Sequence, residues 1–475
     1  MVFSSSIFLF WFLPIFLGVY FLVDRRYKNA VALLASLIFY GFGSPKFLLV
    51  LLSSIFIDFF LVRQIDKSED AKRRKLFLVF SVILNIGLLA YFKYANFFID
   101  NFNALLVVFG ANPIRWTKVV LPIGISFFTF QKMSYSIDVY RKTSAPLKSI
   151  ADYALFIMLF PQLIAGPIVR YNEIADQITD RSANETADNR ILGFYRFVIG
   201  LSKKMLIANL LAKYVDQVFA LPTAEIGVST AWLGILAYTF QIYFDFSGYS
   251  DMAIGMGRMM GFKFPENFNN PYISQSVSEF WKRWHITLGS WMMNYLYIPL
   301  GGNRKGKRRT YLNLWIVFFL SGLWHGAAWT FVAWGAFHGL FIVMDKMFWL
   351  KASQKIGKVP RVLITFLIVM IGWVLFRADT IGYAVHYVGA MFGANGSLPV
   401  LFVDQQFIMT LIIAVFFSFF ALAFPTIYSK LSTALNSKLS TLNYILFGLI
   451  IIILLILSAS FILKGSFNPF IYFRF

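Results

Sequence analysis

Apolar runs that could cross a lipid bilayer recur along the whole sequence and leave little chain for a water-soluble domain. Examples lie at residues 7–23, 46–62, 76–92, 361–377, 407–425 and 442–463. Hydrophobic residues make up 59% of the 475 residues and charged residues only 14%, which excludes soluble, disordered and disulfide-scaffold proteins. Because backbone groups inside a bilayer must pair within the chain, we predict an all-α polytopic membrane protein with roughly 11–13 transmembrane helices, together with re-entrant or interfacial helices.

Positive charge dominates the polar segments. Lys and Arg number 43 against 22 Asp and Glu, and the basic residues gather in short loops such as 24–28, 63–75 and 346–361. Loops of this kind stay on the cytoplasmic side of bacterial membranes, so the pattern favours membrane topology over nucleic-acid binding. Charge follows the first apolar run instead of preceding it, which predicts a retained helix with its N-terminus outside a bacterial cytoplasmic membrane. Counting the membrane crossings from this N-terminus onward then places the C-terminus outside as well.

One membrane domain over residues 1–475 is the simplest organisation, since no repeat of solenoid length and no low-complexity linker divides the chain. Its motifs concentrate at about 240–345, and an aromatic tail follows at 464–475. We predict a hinge at 41–45 and an interfacial or re-entrant piece at 95–110. The spacing of Gly255, Gly257 and Gly261 differs from that of a dinucleotide-binding loop and indicates close helix packing.

The four histidines are the main candidates for chemistry. The chain has no cysteine, so a covalent acyl intermediate would form on oxygen or nitrogen. His325 lies within residues 311–344, which as one helix would be about 51 Å long and would exceed a hydrocarbon core of roughly 30 Å. We therefore predict a helix break near Gly322 or Gly326. His325 would then be either a general base or a histidine bonded to a neighbouring helix carbonyl.

An aromatic and basic segment surrounds His285, and helical spacing places Trp281, Trp284 and His285 on one face. The basic turn at 300–309 follows, and its charges are explained either by topology or by binding of the phosphates of a cytoplasmic donor. The candidate donor-binding residues are Trp281, Lys282, Arg283, Trp284, Asn303, Arg304 and Lys305. We predict that His338 lies too far from His325 to share its site and that His386 is a satisfied interfacial residue.

Four longer motifs carry a resemblance to a known family. They are Asn267–Tyr272, Glu279–Leu288, Tyr297–Asn303 and Ser321–Gly326. Together with Gln241–Asp251 they closely resemble the membrane-bound O-acyltransferases. Within that family they look like the bacterial alginate O-acetyltransferase branch, which is related to the teichoic acid D-alanyl transfer proteins. The similarity covers essentially the whole chain, including residues 2–5 and 468–475.

The resemblance implies a fold, a reaction and a set of site residues. The fold would be a helical domain pierced by a central tunnel, for which Trp324, Tyr243 and Asp245 are candidate lining residues. His325 would be the catalytic base, and His285 would be its companion near the cytoplasmic mouth. Acetyl-CoA would be the donor substrate, and no metal or bound cofactor is expected.

The end of the chain suggests how the acyl group could leave the tunnel. The segment 470–475 resembles the aromatic tail of a small partner in D-alanyl transfer, so Tyr472 is a candidate acyl relay, with an aromatic anchor at the lipid interface as the alternative. The expected partners are membrane lipid, an extracytoplasmic acetyltransferase subunit and a polysaccharide acceptor, but no nucleic acid. D-Alanyl transfer, peptidoglycan O-acylation and a transporter or flippase of a cell-envelope precursor remain as alternatives.

Overall fold

The computed structural model describes residues 1–396, 398, 401–436, 441–465 and 467–469. Across these ranges the secondary structure is helical without a β-strand, and one isolated bridge pairs Phe268 with Trp284. The predicted all-α fold is confirmed. The described residues form two compact units, the first from Met1–Asn184 with Gly261–Pro265 and the second from the remainder. The prediction of a single membrane domain stays a prediction.

The first unit is built from helices α1 to α9. Their bounds are α1 Leu13–Leu22, α2 Lys28–Gly43, α3 Pro45–Lys67, α4 Ala71–Leu89, α5 Ala95–Val108, α6 Ile125–Tyr140, α7 Ile150–Met158, α8 Phe160–Leu163 and α9 Tyr171–Thr179. A π-helical turn at Phe8–Phe12 precedes α1. The hinge predicted at 41–45 is confirmed, because α2 ends at Gly43 and α3 starts at Pro45. Proline is favourable at the first position of a helix, since the backbone N–H that it lacks would have no partner within the helix there.

Residues 95–110 continue the preceding helix and do not turn back as a re-entrant piece, so that alternative was wrong, while their position at the membrane interface stays a prediction. A π-helical turn at Ala90–Tyr94 joins α4 to α5, so one helical segment runs over Ala71–Val108. It contains no proline, and it ends where Gly110 adopts a positive φ of 72° and the Ala111 amide donates to the Leu106 carbonyl. This glycine-terminated end is the first strong stop signal after Ala71.

A polar cluster lies inside the first unit, centred on Asp58 of α3. The Asp58 carboxylate is fully buried and accepts hydrogen bonds from the Ser81 hydroxyl, the Asn85 amide at 3.2 Å and the Tyr153 hydroxyl at 2.6 Å. Lys132 on α6 is also fully buried and interacts electrostatically with Asp58. Charged groups in such surroundings need partners, so this cluster connects α3, α4, α6 and α7.

The second unit contains α10 to α22 and holds the histidines. The bounds are α10 Ala187–Ser202, α11 Asn209–Ala220, α12 Val228–Met259, α13 Val277–Arg283, α14 Ile286–Met292, α15 Gly306–His325, α16 Trp329–Met344, α17 Leu350–Ala352, α18 Lys358–Arg377, α19 Ile381–Met391, α20 Gln405–Ala423, α21 Pro425–Asn436 and α22 Thr441–Lys464. A π-helical stretch, Lys203–Ala208, joins α10 to α11.

Helix α12 packs closely against α10 through glycines. A Cβ on Gly255 would lie 2.6 Å from the Gly193 carbonyl oxygen, and one on Gly248 would lie 2.7 Å from that of Gly200. Any larger side chain at these positions would push the two helices apart. The interpretation of the glycine spacing as helix packing is confirmed at Gly255.

Six helical segments among the described residues are long and apolar enough to cross a membrane. They are Pro45–Lys67, Ala71–Val108, Trp329–Ile356, Lys358–Arg377, Gln405–Ala423 and Asn443–Lys464, while the apolar segment Phe8–Leu22 is shorter. The protein is therefore a multi-pass membrane protein. The predicted total of roughly 11–13 crossings and the side on which each loop lies stay predictions.

Candidate functional site

The predicted helix break lies directly after His325. Helix α15 ends at His325, Gly326 is extended, and α16 begins at Trp329. A Cβ on Gly322 would lie 2.3 Å from the Phe331 carbonyl oxygen, and one on Gly326 would lie 2.1 Å from the Phe331 ring. Because no larger side chain fits at either glycine, these two residues determine how tightly α15 and α16 pack, and with that the position of His325.

Aromatic rings surround the His325 imidazole. Its ring centroid lies 5.0 Å from those of Trp324 and Trp334 and 5.3 Å from that of Phe376 on α18. His325 is 6% exposed. These large apolar side chains exclude water around the imidazole and hold it in place, which is the environment that a hydrolysis-sensitive acyl group requires.

His285 lies between two short helices, so the prediction that Trp281, Trp284 and His285 share one helical face was wrong. Helix α13 ends at Arg283, Trp284 is extended, and His285 adopts a left-handed conformation with φ 46° and ψ 51°. The reason is tertiary: the Arg283 carbonyl accepts from the Asn269 amide, and the Ile286 amide donates to the Asn267 carbonyl. Pairing with residues 267–269 interrupts the helix at His285.

Asn267 also bonds the His285 side chain. The distance from His285 Nδ1 to Asn267 Oδ1 is 3.1 Å, and both residues are buried. His285 lies outside the six membrane-spanning segments, and burial lowers the pKa of His285 to about 3. The imidazole is therefore neutral at cellular pH and can accept a proton or a hydrogen bond.

The structure brings the two predicted catalytic histidines together. The ring centroids of His285 and His325 lie 6.5 Å apart, and Trp324 contacts both rings, at 6.1 Å and 5.0 Å. His285 directly precedes α14 and His325 ends α15, so both lie at interruptions of the helical backbone. The two imidazoles and Trp324 therefore form one cluster of rings.

His338 lies closer to this centre than its sequence position indicated. It is fully buried on α16, and its Nδ1 accepts from the Trp281 indole at 3.3 Å. Its ring lies 5.0 Å from that of Trp334, which also contacts the His325 ring. No direct contact joins His338 to His325 among the contacts described, so Trp334 separates them. The spacing of Trp334 and His338 by one helical turn was the signal that could have found this arrangement.

The candidate tunnel residues lie in different parts of the second unit. Trp324 is buried beside both histidines, and Tyr243 contacts Tyr272 at 5.3 Å between ring centroids. Asp245 forms a buried salt bridge of 2.6 Å with Lys204. Both Tyr243 and Asp245 belong to α12, which also brings Phe246 within 4.8 Å of the His285 ring. Their lining of a tunnel stays a prediction.

The candidate donor-binding residues divide into two environments. Asn303, Arg304 and Lys305 are exposed in a turn whose glycines Gly301 and Gly302 have positive φ angles, and Asn313 donates to the Gly302 carbonyl at 3.0 Å. On α13, Lys282 is exposed, whereas Arg283 forms a salt bridge with Glu279 at 2.9 Å. Trp281 and Trp284 pack inside the aromatic cluster. The structure therefore presents Lys282 and residues 303–305 to solvent.

The described end of the chain returns to the interior of this unit. Asn209 donates to the Asn468 side chain at 3.2 Å, and the Lys204 ammonium donates to the Pro469 carbonyl. Lys204 is the same residue that pairs with Asp245. Tyr472 lies outside the described residues.

Comparison with known proteins identifies the family. The model of the membrane-bound O-acyltransferase family, MBOAT, matches residues 124–377, which include both His285 and His325. A Pseudomonas aeruginosa protein named "probable alginate O-acetylase AlgI" is 46% identical over 82% of this chain and 75% of its own. A Helicobacter pylori peptidoglycan O-acetyltransferase is 38% identical over 83% of this chain and 80% of its own.

A more distant relative covers about half of the chain. The teichoic acid D-alanyltransferase of Bacillus subtilis is 29% identical over 54% of this chain and 68% of its own. The match of more than half of the chain to the family model, together with the high identity of the alginate-type relatives, confirms the resemblance seen in the motifs. The chain belongs to the membrane-bound O-acyltransferase family, and it is an O-acyltransferase.

Proposed function

We propose that this enzyme takes an acetyl group from cytoplasmic acetyl-CoA and passes it across the bacterial cytoplasmic membrane for O-acetylation of an extracytoplasmic polysaccharide. The names of the alginate-type relatives support acetyl as the acyl group and a polysaccharide as the acceptor. The observation that carries the proposal is the pair of buried imidazoles, His285 and His325, with 6.5 Å between their ring centroids.

The reaction would use His325 as the general base. Its imidazole takes the proton of the acceptor hydroxyl while the hydroxyl oxygen attacks the thioester carbonyl carbon. The carbon–sulfur bond then breaks, and the CoA thiolate leaves with the proton that the imidazole returns. General-base assistance of this kind is worth about 10² to 10⁴ in rate. The rings of Trp324, Trp334 and Phe376 around the imidazole support this role, because they keep water from the thioester.

Donor binding would fall to the exposed basic residues. Lys282, Arg304 and Lys305 can meet the phosphates of CoA with charge-assisted hydrogen bonds, and Asn303 can add a neutral one. Trp281 and Trp284 would contribute by packing, since both lie within the aromatic cluster that holds α13. Arg283 already pairs with Glu279, so a phosphate would have to compete with this carboxylate.

Tyr472 would carry the acetyl group as a phenolic ester and deliver it to an extracytoplasmic acetyltransferase subunit. The contacts of Asn468 and Pro469 with Asn209 and Lys204 support this role, because they place the residues just before the aromatic tail against the unit that holds both histidines. Lys204 and Asp245 would then line the approach of the tail. The proposal places the C-terminus on the extracytoplasmic side, together with the polysaccharide acceptor.

Peptidoglycan is the second candidate acceptor, because the Helicobacter pylori relative acts on it by name. D-Alanine as the acyl group has weaker support, since the relatives with that name cover only 50% and 54% of this chain. A transporter or flippase is disfavoured by membership of an acyltransferase family.

An assay with acetyl-CoA that carries a labelled acetyl group tests two claims together: that acetyl-CoA is the donor and that His325 is the general base. Purified protein in lipid vesicles should release free CoA and retain or transfer the label, and His325→Ala should lower this rate by about a hundredfold or more. His386→Ala is the matched control, since His386 is exposed and bonds only the Gly382 carbonyl in the described contacts, and it should keep the wild-type rate.

Mass spectrometry of the C-terminal peptide from the same labelled sample tests the relay. We expect an acetyl adduct on Tyr472 in the wild type and none in Tyr472→Phe. Equal rates for His325→Ala and the wild type would refute the role of His325 as the general base. An unlabelled Tyr472 peptide, with O-acetylation in cells unaffected by Tyr472→Phe, would refute the relay alone.

A further inference from the structure

The buried amide of Asn267 connects His285 to two other parts of the second unit. Asn267 is 0% exposed. Its Oδ1 receives the Thr287 hydroxyl at 2.9 Å and the Thr287 backbone amide at 3.4 Å, and it lies 3.1 Å from His285 Nδ1. Its Nδ2 donates to the Ser250 hydroxyl of α12 at 2.9 Å. Asn267 therefore joins His285 to Thr287 of α14 and to Ser250 of α12.

The orientation of the Asn267 amide follows from these contacts. A backbone N–H can only donate, so the atom that faces the Thr287 amide must be the side-chain oxygen and not the nitrogen. The Ser250 hydroxyl accepts as readily as it donates, which suits Nδ2 on the other side. The oxygen of Asn267 therefore faces His285.

The tautomer of His285 follows in turn. A carbonyl oxygen has no proton to give, so His285 Nδ1 must carry the hydrogen of the Nδ1–Oδ1 bond. In a neutral imidazole the lone pair then lies on Nε2. His285 Nε2 is buried, and no described residue forms a hydrogen bond with it. The rings that contact His285 among the described residues belong to Phe246, Trp324 and His325.

We propose that Asn267 is a positioning residue that holds His285 in the Nδ1–H tautomer, so that Nε2 accepts a hydrogen bond from a substrate O–H or N–H during acyl transfer. This inference rests on the proposed role of His285 in the reaction. It specifies the direction of the hydrogen bond that His285 makes with the substrate. Neutral His285 accepts at Nε2 and does not donate to the carbonyl oxygen of the thioester. The lowered pKa of His285 is consistent with this, since the ring stays neutral.

Two substitutions of Asn267 separate positioning from packing. Asn267→Leu keeps the size of the side chain and removes the acceptor, so either ring nitrogen can then carry the proton. We expect kcat to fall by about tenfold to a thousandfold with a KM for acetyl-CoA within about threefold of the wild type, because the loss lies in orienting a reacting group. Asn294→Leu is the matched control: Asn294 donates to the Ser290 carbonyl, and it has no contact with His285 among those described.

Asn267→Asp keeps an acceptor for Nδ1 and adds a negative charge. A carboxylate beside His285 favours the imidazolium, so the pKa of His285 rises from about 3. Nε2 then becomes protonated at a higher pH, and the acidic limb of the pH–kcat profile should move upward by about one to three units while activity at high pH is retained. An acidic limb that stays in place would contradict a direct contact between residue 267 and a neutral His285 that the reaction requires.

Solid-state NMR reads the tautomer without any change at Asn267. In protein labelled with ¹⁵N-histidine, four residues contribute signals, and His285→Ala identifies those of His285. We expect Nδ1 to resonate as a protonated ring nitrogen and Nε2 as a non-protonated one in the full-length protein in lipid. The reverse assignment would overturn the proposal even if the Asn267 variants fail to fold.

The outcomes separate this inference from the function on which it rests. If His285→Ala abolishes acetyl transfer while Asn267→Leu matches the wild type and Asn267→Asp leaves the pH profile unmoved, positioning by Asn267 is wrong and the role of His285 stands. If His285→Ala transfers acetyl groups at the wild-type rate, the role of His285 itself is wrong.

Discussion

His338 and His386 lie in similar apolar sequence, yet their environments are opposite. His338 is fully buried and accepts a hydrogen bond from the Trp281 indole, whereas His386 is exposed and bonds the Gly382 carbonyl of its own helix. The predicted hydrogen-bond partner of His386 is confirmed, while its position at the membrane interface stays a prediction. The position of His338 near the site was not predicted: one of its neighbours, Trp334, is local, but Trp281 of α13 and Trp373 of α18 are remote in the sequence.

At His338 we predict a loss of stability. His338→Leu leaves the N–H of the partly buried Trp281 without its acceptor, which costs about 1–3 kcal/mol and should lower the midpoint of thermal unfolding in detergent by a few degrees. His386→Leu, at an exposed position, should leave the midpoint unchanged. Equal midpoints for the two variants would show that the Trp281–His338 bond does not stabilise the fold.

Among the helices, the α15–α16 pair carries the clearest relation between sequence and site. The length of the apolar stretch and its glycines correctly predicted the break, because a single helix would overrun the bilayer. Helix α13 was predicted less well. Its aromatic spacing continues past Arg283, but backbone bonds from residues 267 and 269 end the helix and place His285 in a left-handed conformation.

Gly322→Ala tests the packing of α15 on α16. Its Cβ would meet the Phe331 carbonyl oxygen at 2.3 Å, a backbone atom that cannot yield without moving the helix. We expect acetyl transfer to fall at least about tenfold, because a shift of His325 by about 1 Å misaligns the reacting groups. Gly87→Ala is the control: nothing lies within 4 Å of its Cβ, so activity should be retained. Full activity of Gly322→Ala would mean that α15 and α16 can move apart without loss of acetyl transfer.

At the scale of the whole molecule, burial of apolar surface is a weak source of stability, since lipid tails are as apolar as the protein interior. Polar clusters therefore matter more than in soluble proteins. The Asp58 cluster in the first unit and the Lys204–Asp245 pair in the second are both fully enclosed. Each joins helices that are separate in sequence.

Asp58→Leu should destabilise the protein strongly. It removes the acceptor of the Tyr153 and Asn85 side chains and leaves the charge of Lys132 without its counterion, a loss of about 3–5 kcal/mol for a buried pair. The yield of monodisperse protein after detergent extraction should fall sharply. Asp100→Leu, at an exposed position on α5, is the matched control and should extract normally. Comparable yields would show that the cluster is dispensable.

Local composition was sufficient to identify a helical membrane protein, the hinge before α3, the break after His325 and the two histidine motifs. These features depend on residues close together in the chain: apolar length, proline and glycine positions, and short motifs. The left-handed backbone at His285 and its contact with Asn267 depend on the pairing with residues 267–269, and the distance between His285 and His325 depends on how the end of α15 packs beside His285. Segments remote in sequence create those contacts, so no local pattern encodes them.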